Sequence, residues 1–162
     1  GVAHCPCSNM RLGSGIAPVR AMLDAGVKVG IGVDGSASND GSHLLNEARQ
    51  AMLLQRVQNG ADSLSARQSL EMATLGGARV LRRDDLGSLD VSKRADFAAY
   101  DLASIQMSGT WDPVAALALC GPPQASHTVV EGRFVVRNGC LTTIDLPIVL
   151  EHHRERTQQL IS

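Results

Sequence analysis

Val27-Lys-Val-Gly-Ile-Gly-Val-Asp34-Gly-Ser-Ala-Ser-Asn-Asp40 is the stretch on which the reading of this chain turns. Val27 to Val33 is a short apolar run with interleaved glycines, the pattern of a strand buried on both faces as in a parallel sheet. It ends on an acid followed by small polar residues. Asp34 therefore falls at the carboxyl end of a strand, where open α/β sheets and α/β barrels keep their chemistry. A carboxylate there can bind a metal, take a proton, or cap a turn through hydrogen bonds to Ser36 or Ala37. Gly30-Ile-Gly-Val-Asp-Gly35 also satisfies the dinucleotide pattern G-x-G-x-x-G. That pattern should open a helix at once, whereas 36–42 reads as a polar loop, and Asp34 would set its charge against a phosphate.

Upstream, Val2-Ala-His-Cys5 reads as a short strand stopped by Pro6, and Cys7 to Gly15 as a loop rich in turn formers. Pro18 suits the first turn of a helix carrying Val19, Met22 and Leu23 on one face, with Gly26 just beyond its end. Residues 2–33 thus make one βαβ unit, whose crossover is right-handed. Downstream, Ser42 is placed to cap a helix to about Gln58, with Leu44, Leu45, Ala48 and Met52 buried. Ser65-Ala-Arg-Gln68 is a capping box. A strand follows at Ala95–Asp101, and a helix at Pro113–Leu119 with Asp112 as its cap. Then comes a meander with turns at Glu131-Gly132 and Asn138-Gly139. Pro147 to Ile161 reads as a charged amphipathic helix.

The balance of charge, −1 over 162 residues, offers no broad basic surface for nucleic acid or lipid. One Trp, one Tyr and two Phe are too few for base-stacking platforms. No apolar run approaches the roughly 20 residues of a membrane span. Cys5, Cys7, Cys120 and Cys140 do not form a disulfide-scaffold pattern, so a reducing, cytoplasmic setting is expected. The chain opens without Met on an apolar run that reads as mid-domain sequence and carries no signal-like segment. It is expected to be an incomplete piece of a longer protein.

His4-Cys-Pro-Cys-Ser-Asn-Met-Arg-Leu-Gly-Ser-Gly15, then Gly32-Val-Asp-Gly-Ser-Ala-Ser-Asn-Asp40, resembles the end of an amidohydrolase-superfamily deaminase barrel. The resemblance continues through Ala73-Thr-Leu-Gly-Gly-Ala78, Gly87-Ser-Leu89, Arg94-Ala-Asp-Phe97 and Val130-Glu-Gly-Arg-Phe-Val-Val-Arg-Asn-Gly139. It covers essentially the whole chain. Within the superfamily, Cys7 and Val33 make it most similar to the 8-oxoguanine deaminases, close to enzymes of the hydroxyatrazine ethylaminohydrolase type.

The resemblance implies an α/β fold: the last two βα units of a (β/α)₈ barrel plus the carboxy-terminal part of a small β-sandwich domain. The expected division is 1–84 for the barrel portion, 85–146 for the sandwich portion and 147–162 for a closing helix. It further implies that Asp34 is the strand-eight aspartate that binds the metal and shuttles a proton. The cofactor would be a divalent metal, zinc with iron as the alternative. The other ligands are histidines on strands one and five; no His-x-His exists here, and these ligands and the general acid/base lie outside the chain.

Cys7, Ser8 and Asn9 are weaker candidates for contacting substrate, with shaping the loop the alternative for Ser8 and Asn9. His4 is expected to pack or to line the mouth, His43 and Glu47 to form a surface pair, and His152-His153 to face solvent. Cys120 and Cys140 are expected to be buried thiols. The implied reaction is hydrolytic deamination of a purine-like heterocycle, 8-oxoguanine to urate and ammonia. Hydroxyatrazine-type triazines and guanine are the alternatives, and a non-catalytic structural module is the alternative of another class. The partner is a small molecule, with homo-oligomerisation of the whole protein possible.

Overall fold

The structure is a computed structural model that describes residues 1–161. Ser162, the last residue of the expected closing helix, lies outside the described residues. Two compact units interleave along the sequence. One comprises Gly1–Lys93 and Leu102–Pro123, the other Arg94–Asp101 and the described residues from Gln124 onward.

The first unit is built on a parallel pair. β1 (Val2–His4) runs alongside β2 (Val29–Ile31) with Val2 opposite Val29 and His4 opposite Ile31. The helix expected between them is α2 (Val19–Asp24). It ends in a Schellman motif, in which Gly26 N–H donates to the Leu23 carbonyl and Val27 N–H to that of Met22. The segment after Cys5 corrects the sequence reading: Pro6–Arg11 is a helix, α1, not a loop. Pro6 sits in its first turn, as suits a residue without an N–H.

α3 (Leu44–Asn59) begins one residue later than expected, with His43 rather than Ser42 in the capping position. Its inward stripe is Glu47, Ala48, Ala51, Met52 and Gln55. Leu44, expected to be buried, is 40% exposed. α4 (Ala66–Glu71) opens on the expected capping box: Gln68 N–H donates to Ser65 Oγ, and Ser65 N–H to Gln68 Oε1. A π-helical turn, Met72–Gly76, continues into α5 (Gly77–Leu81), so the helix runs on through the two glycines expected to interrupt it.

These glycines also permit close approach to β2. A β-carbon at Gly76 would lie 2.4 Å from the Val29 carbonyl oxygen, and one at Gly30 would lie 2.9 Å from Gly77 Cα. The core collects Val19, Val29, Ala51, Met52, Leu64, Met72 and Ala118. Burying a side chain the size of Met52 stabilises by about 1.5–3 kcal/mol.

Ala118 belongs to α6 (Pro113–Leu119), whose Asp112 cap accepts from the N–H groups of Val114 and Ala115. Residues 85–93 and 102–123, grouped by the sequence reading in 85–146, cluster with the first unit. Burial of Ala116 and Ala118 is what holds the second of these segments there.

The second unit is a four-stranded antiparallel sheet in the order β3 (Phe97–Tyr100), β4 (Ala125–Val130), β5 (Arg133–Arg137), β6 (Cys140–Leu141). Both expected hairpins are present. Glu131 and Gly132 have φ of 51° and 77°, Asn138 and Gly139 of 53° and 75°, the doubly left-handed turn that matches strand twist. α7 (Leu146–Ile161) has no buried residue, and its His152 and His153 are exposed as expected. Cys140 is exposed and Cys120 half-buried, so neither is the buried thiol anticipated. No described helix is long and apolar enough to cross a membrane.

Candidate functional site

Because β1 and β2 are parallel, their chains emerge at the same edge. The chain leaving β1 turns into α1; the chain leaving β2 reaches Asp34. Asp34 itself is exposed and adopts a left-handed backbone, φ 62°. A non-glycine residue in that region is uncommon, with Asp among the residues that tolerate it best. No helix opens on the Gly30–Gly35 pattern, since α3 starts only at Leu44. The dinucleotide reading therefore loses the backbone arrangement it requires.

Ser8, 2% exposed on the first turn of α1, donates from Oγ to Asp34 Oδ2 at 2.5 Å. Ser38 Oγ donates to the same oxygen at 2.9 Å. These two hydroxyls, then the Gly35 N–H, hold the Asp34 carboxyl below the usual carboxylate range. Hydrogen bonds to the charged form favour it, so Asp34 is ionised at neutral pH. The Asx-type contacts anticipated at Ser36 and Ala37 are replaced by the Ser38 hydroxyl and the Gly35 amide.

The other two residues singled out beside Ser8 are placed differently. Cys7 donates its N–H to Glu47 Oε2 at 3.0 Å, and its sulfur accepts from Asn46 Nδ2 at 3.4 Å. Burial, then the Glu47 carboxylate, push the Cys7 thiol up to about 12, which keeps it protonated. Asn9 is half-buried and is held through its backbone, donating N–H to the Cys5 carbonyl and accepting from Ser14 N–H. The structure thus joins Ser8 to Asp34, ties Cys7 to Glu47, and leaves the Asn9 side chain out of this network. His4 is 3% exposed, and burial lowers its imidazole pKa, opposed by the Glu47 charge. It packs within the unit, one of the two roles expected for it.

Glu47 corrects the sequence reading most sharply. Instead of pairing with His43 on the surface, it is fully buried. Oε1 accepts from Asn39 Nδ2 at 2.8 Å. Asn39, 4% exposed, also donates to the Val33 carbonyl at 2.7 Å, and its Oδ1 accepts from the N–H groups of Gly41 and Ser42. The missed signal lay in the spacing: 47, 48, 51, 52 and 55 form one helical stripe, on which a Glu and a Gln must be hydrogen-bonded. Gln55 is, accepting from Arg20 N–H and donating to the Ala17 carbonyl. An ion pair of Arg11, at the end of α1, with Asp40 adds a second link between α1 and the loop after β2.

As a metal donor, Asp34 has the right character: anionic, exposed, and fixed in direction by two hydroxyls. It is one ligand. A catalytic zinc takes about three from protein, and no group of three His, Cys, Asp or Glu among the described residues could hold a metal.

The chain is 44% identical over its full length to an 8-oxoguanine deaminase of Pseudomonas aeruginosa, covering 36% of that protein. An adenosine deaminase from Xanthomonas campestris with bound zinc superposes with a TM-score of 0.91 at 33% identity, over 98% of this chain and 37% of that one. Atrazine chlorohydrolase from Arthrobacter aurescens TC1, complexed with zinc, superposes with a TM-score of 0.87 at 39% identity, over 94% and 34%. The chain thus spans just over a third of the length of these relatives. Its residues 1–140 match the model of the amidohydrolase family, and the chain belongs to that family.

Proposed function

We propose that the whole protein is a metal-dependent hydrolytic deaminase of an aminated purine-like heterocycle, converting 8-oxoguanine to urate and ammonia. The observation that carries the reading is Asp34, ionised at the carboxyl end of β2 and held there by Ser8 and Ser38. The full-length similarity to the Pseudomonas aeruginosa enzyme supports the substrate. In this reading β1 and β2 are strands seven and eight of a (β/α)₈ barrel, and β3 to β6 contribute to a small sandwich domain. The setting is cytoplasmic.

Asp34 would hold the metal together with ligands from outside this chain; zinc fits, as it is bound in two of the similar structures. When bound, a divalent metal makes hydroxide available at neutral pH by lowering the pKa of water toward about 7. The Asp34 carboxylate accepts a proton from the attacking water and returns it to the departing amino group, which leaves as ammonia. Ser8 and Ser38 keep that carboxylate aimed by bonding one of its oxygens. In this reading the segment Cys7-Ser8-Asn9, on α1 beside Asp34, contributes to the substrate pocket, where a donor for the extra purine oxygen is needed. An unmatched buried polar group costs about 1–3 kcal/mol, so a site built for that oxygen discriminates against guanine.

A triazine is the second reading, favoured by the superposition on atrazine chlorohydrolase. Side-by-side kcat/KM values for 8-oxoguanine, guanine and hydroxyatrazine, measured on the whole protein, test both. Highest efficiency on 8-oxoguanine is expected; guanine or the triazine winning refutes the assignment. The 162 residues alone, with one metal ligand, are expected to release no ammonia.

A further inference from the structure

Glu47 is an acid with no part in the chemistry proposed above. It is fully buried on a helix, and each carboxylate oxygen carries a donor from a different segment. Oε2 takes the Cys7 N–H at 3.0 Å and Oε1 takes Asn39 Nδ2 at 2.8 Å. Cys7 immediately precedes Ser8, the closest donor to Asp34. Asn39 in turn grips the carbonyl of Val33, the residue immediately before Asp34. Two independent routes therefore run from one carboxylate to Asp34, one through its hydrogen-bond donor and one through its own backbone.

For the first route the local sequence supplies no substitute. Cys5, in the capping position of α1, makes no side-chain capping bond. The N–H of Cys7 is one of the first-turn donors that a helix cannot satisfy internally. Glu47 satisfies it from forty residues away. The left-handed backbone of Asp34 is likewise a conformation that surroundings must enforce.

We propose that Glu47 is a positioning residue: its buried carboxylate fixes the segment carrying Ser8 and the segment carrying Asp34 against each other, and so sets the direction of the Asp34 carboxylate. It touches neither substrate nor metal. This inference rests on the deaminase reading for its kinetic consequence and on geometry alone for its structural one. Gln at position 47 keeps the size but turns one acceptor into a donor facing another donor. Asp keeps both acceptors but withdraws them by one methylene.

The test compares parental whole protein with Glu47→Gln, Glu47→Asp, Ser8→Ala and the Glu47→Gln/Ser8→Ala double variant. Displacing a reacting group by about 1 Å costs on the order of 100-fold. Glu47→Gln is therefore expected to lower kcat about that much, with KM within about twofold, and Glu47→Asp to fall between it and the parent. If Glu47 acts partly through Ser8, the double variant loses less than the product of the single losses. A merely structural role would multiply them.

A Glu47→Gln kcat within about twofold of parental, or fully multiplicative losses, overturns the proposal. Where Glu47→Gln does not fold, the Glu47→Asp kcat decides by the same criterion. Amide exchange in metal-free protein is the second readout, at Cys7 and at Ser38 and Asn39, whose N–H groups bond the Gly35 carbonyl. Faster exchange in both segments is expected, by about tenfold or more. A parental protein that releases no ammonia refutes the deaminase reading alone. Unchanged exchange in the Glu47 variants would then overturn the positioning role.

Discussion

The segments that follow β1 and β2 and the hairpins of the antiparallel sheet are held by different means. Each hairpin is specified by the two residues at its tip. Glu131-Gly132 and Asn138-Gly139 adopt left-handed angles that bring Val130 opposite Arg133 and Arg137 opposite Cys140. The segments at the strand ends are tied to one another across the sequence, Ser8 to Asp34 and Cys7 to Glu47, with nearer bonds from Ser38 to Asp34 and from Asn39 to Glu47 added. Local specification makes a turn robust and chemically idle. Long-range specification fixes a carboxylate in direction, but makes it depend on every partner being in place.

The largest effect should come from Asp34→Asn in the whole protein, which keeps size but removes charge and proton acceptance. Turnover is expected to fall by roughly 10²–10⁴-fold, with weaker metal retention and little change in thermal midpoint, since Asp34 is exposed. A near-parental rate would reduce Asp34 to a turn residue and erase the contrast. Next is Asn39→Leu, which strips partners from Glu47, from the Val33 carbonyl and from two backbone N–H groups. A loss of about 3 kcal/mol in urea unfolding is expected; an unchanged midpoint would show that the network is not what holds the loop.

Gly139→Val probes the other side of the comparison. A β-branched residue at φ 75° should destabilise by about 1–2 kcal/mol, read by urea unfolding, while kcat/KM stays parental. A large kinetic loss would mean that the sheet is not chemically idle.

The smallest effect concerns pH. The Asp34 carboxyl is held below its ordinary value of 3.8 by Ser8, Ser38 and Gly35. Its contribution to stability is therefore complete above that value and is lost as pH falls through the lower, folded one. In metal-free protein, Ser38→Ala should shrink the acid-side loss seen in unfolding free energy below about pH 4. A variant with the parental acid profile would show that Ser38 does not hold the carboxylate.

What could be read in advance follows the same divide. The Asn-Gly turns, the Ser65–Gln68 capping box, the Asp112-Pro113 helix start and the Gly26 helix end are all written within a few residues, and all are present. The parallel pair and the position of Asp34 at its edge followed from the Val27–Val33 pattern. Pro6–Arg11 did not, because the acceptor for its first-turn N–H lies on α3. Nor did the inward face of Glu47, where pairing it with His43 set aside the stripe it shares with Ala51 and Gln55. In sequence Ser8 reads as a substrate contact or a loop-shaping residue; its bond to Asp34 depends on two chains leaving the sheet side by side, which no local pattern encodes.

The contact of Gly76 with Val29, and of Gly30 with Gly77, has a consequence for how this scaffold can be changed. Where backbone meets backbone there is no side-chain volume to exchange, so a substitution on one side cannot be compensated on the other. A library that diversifies the loops around Asp34 to accept new heterocycles should leave positions 30 and 76 untouched. Lineages that drift in substrate should keep both glycines for the same reason, and they would serve as fixed points for aligning sequences whose active-site loops no longer resemble one another.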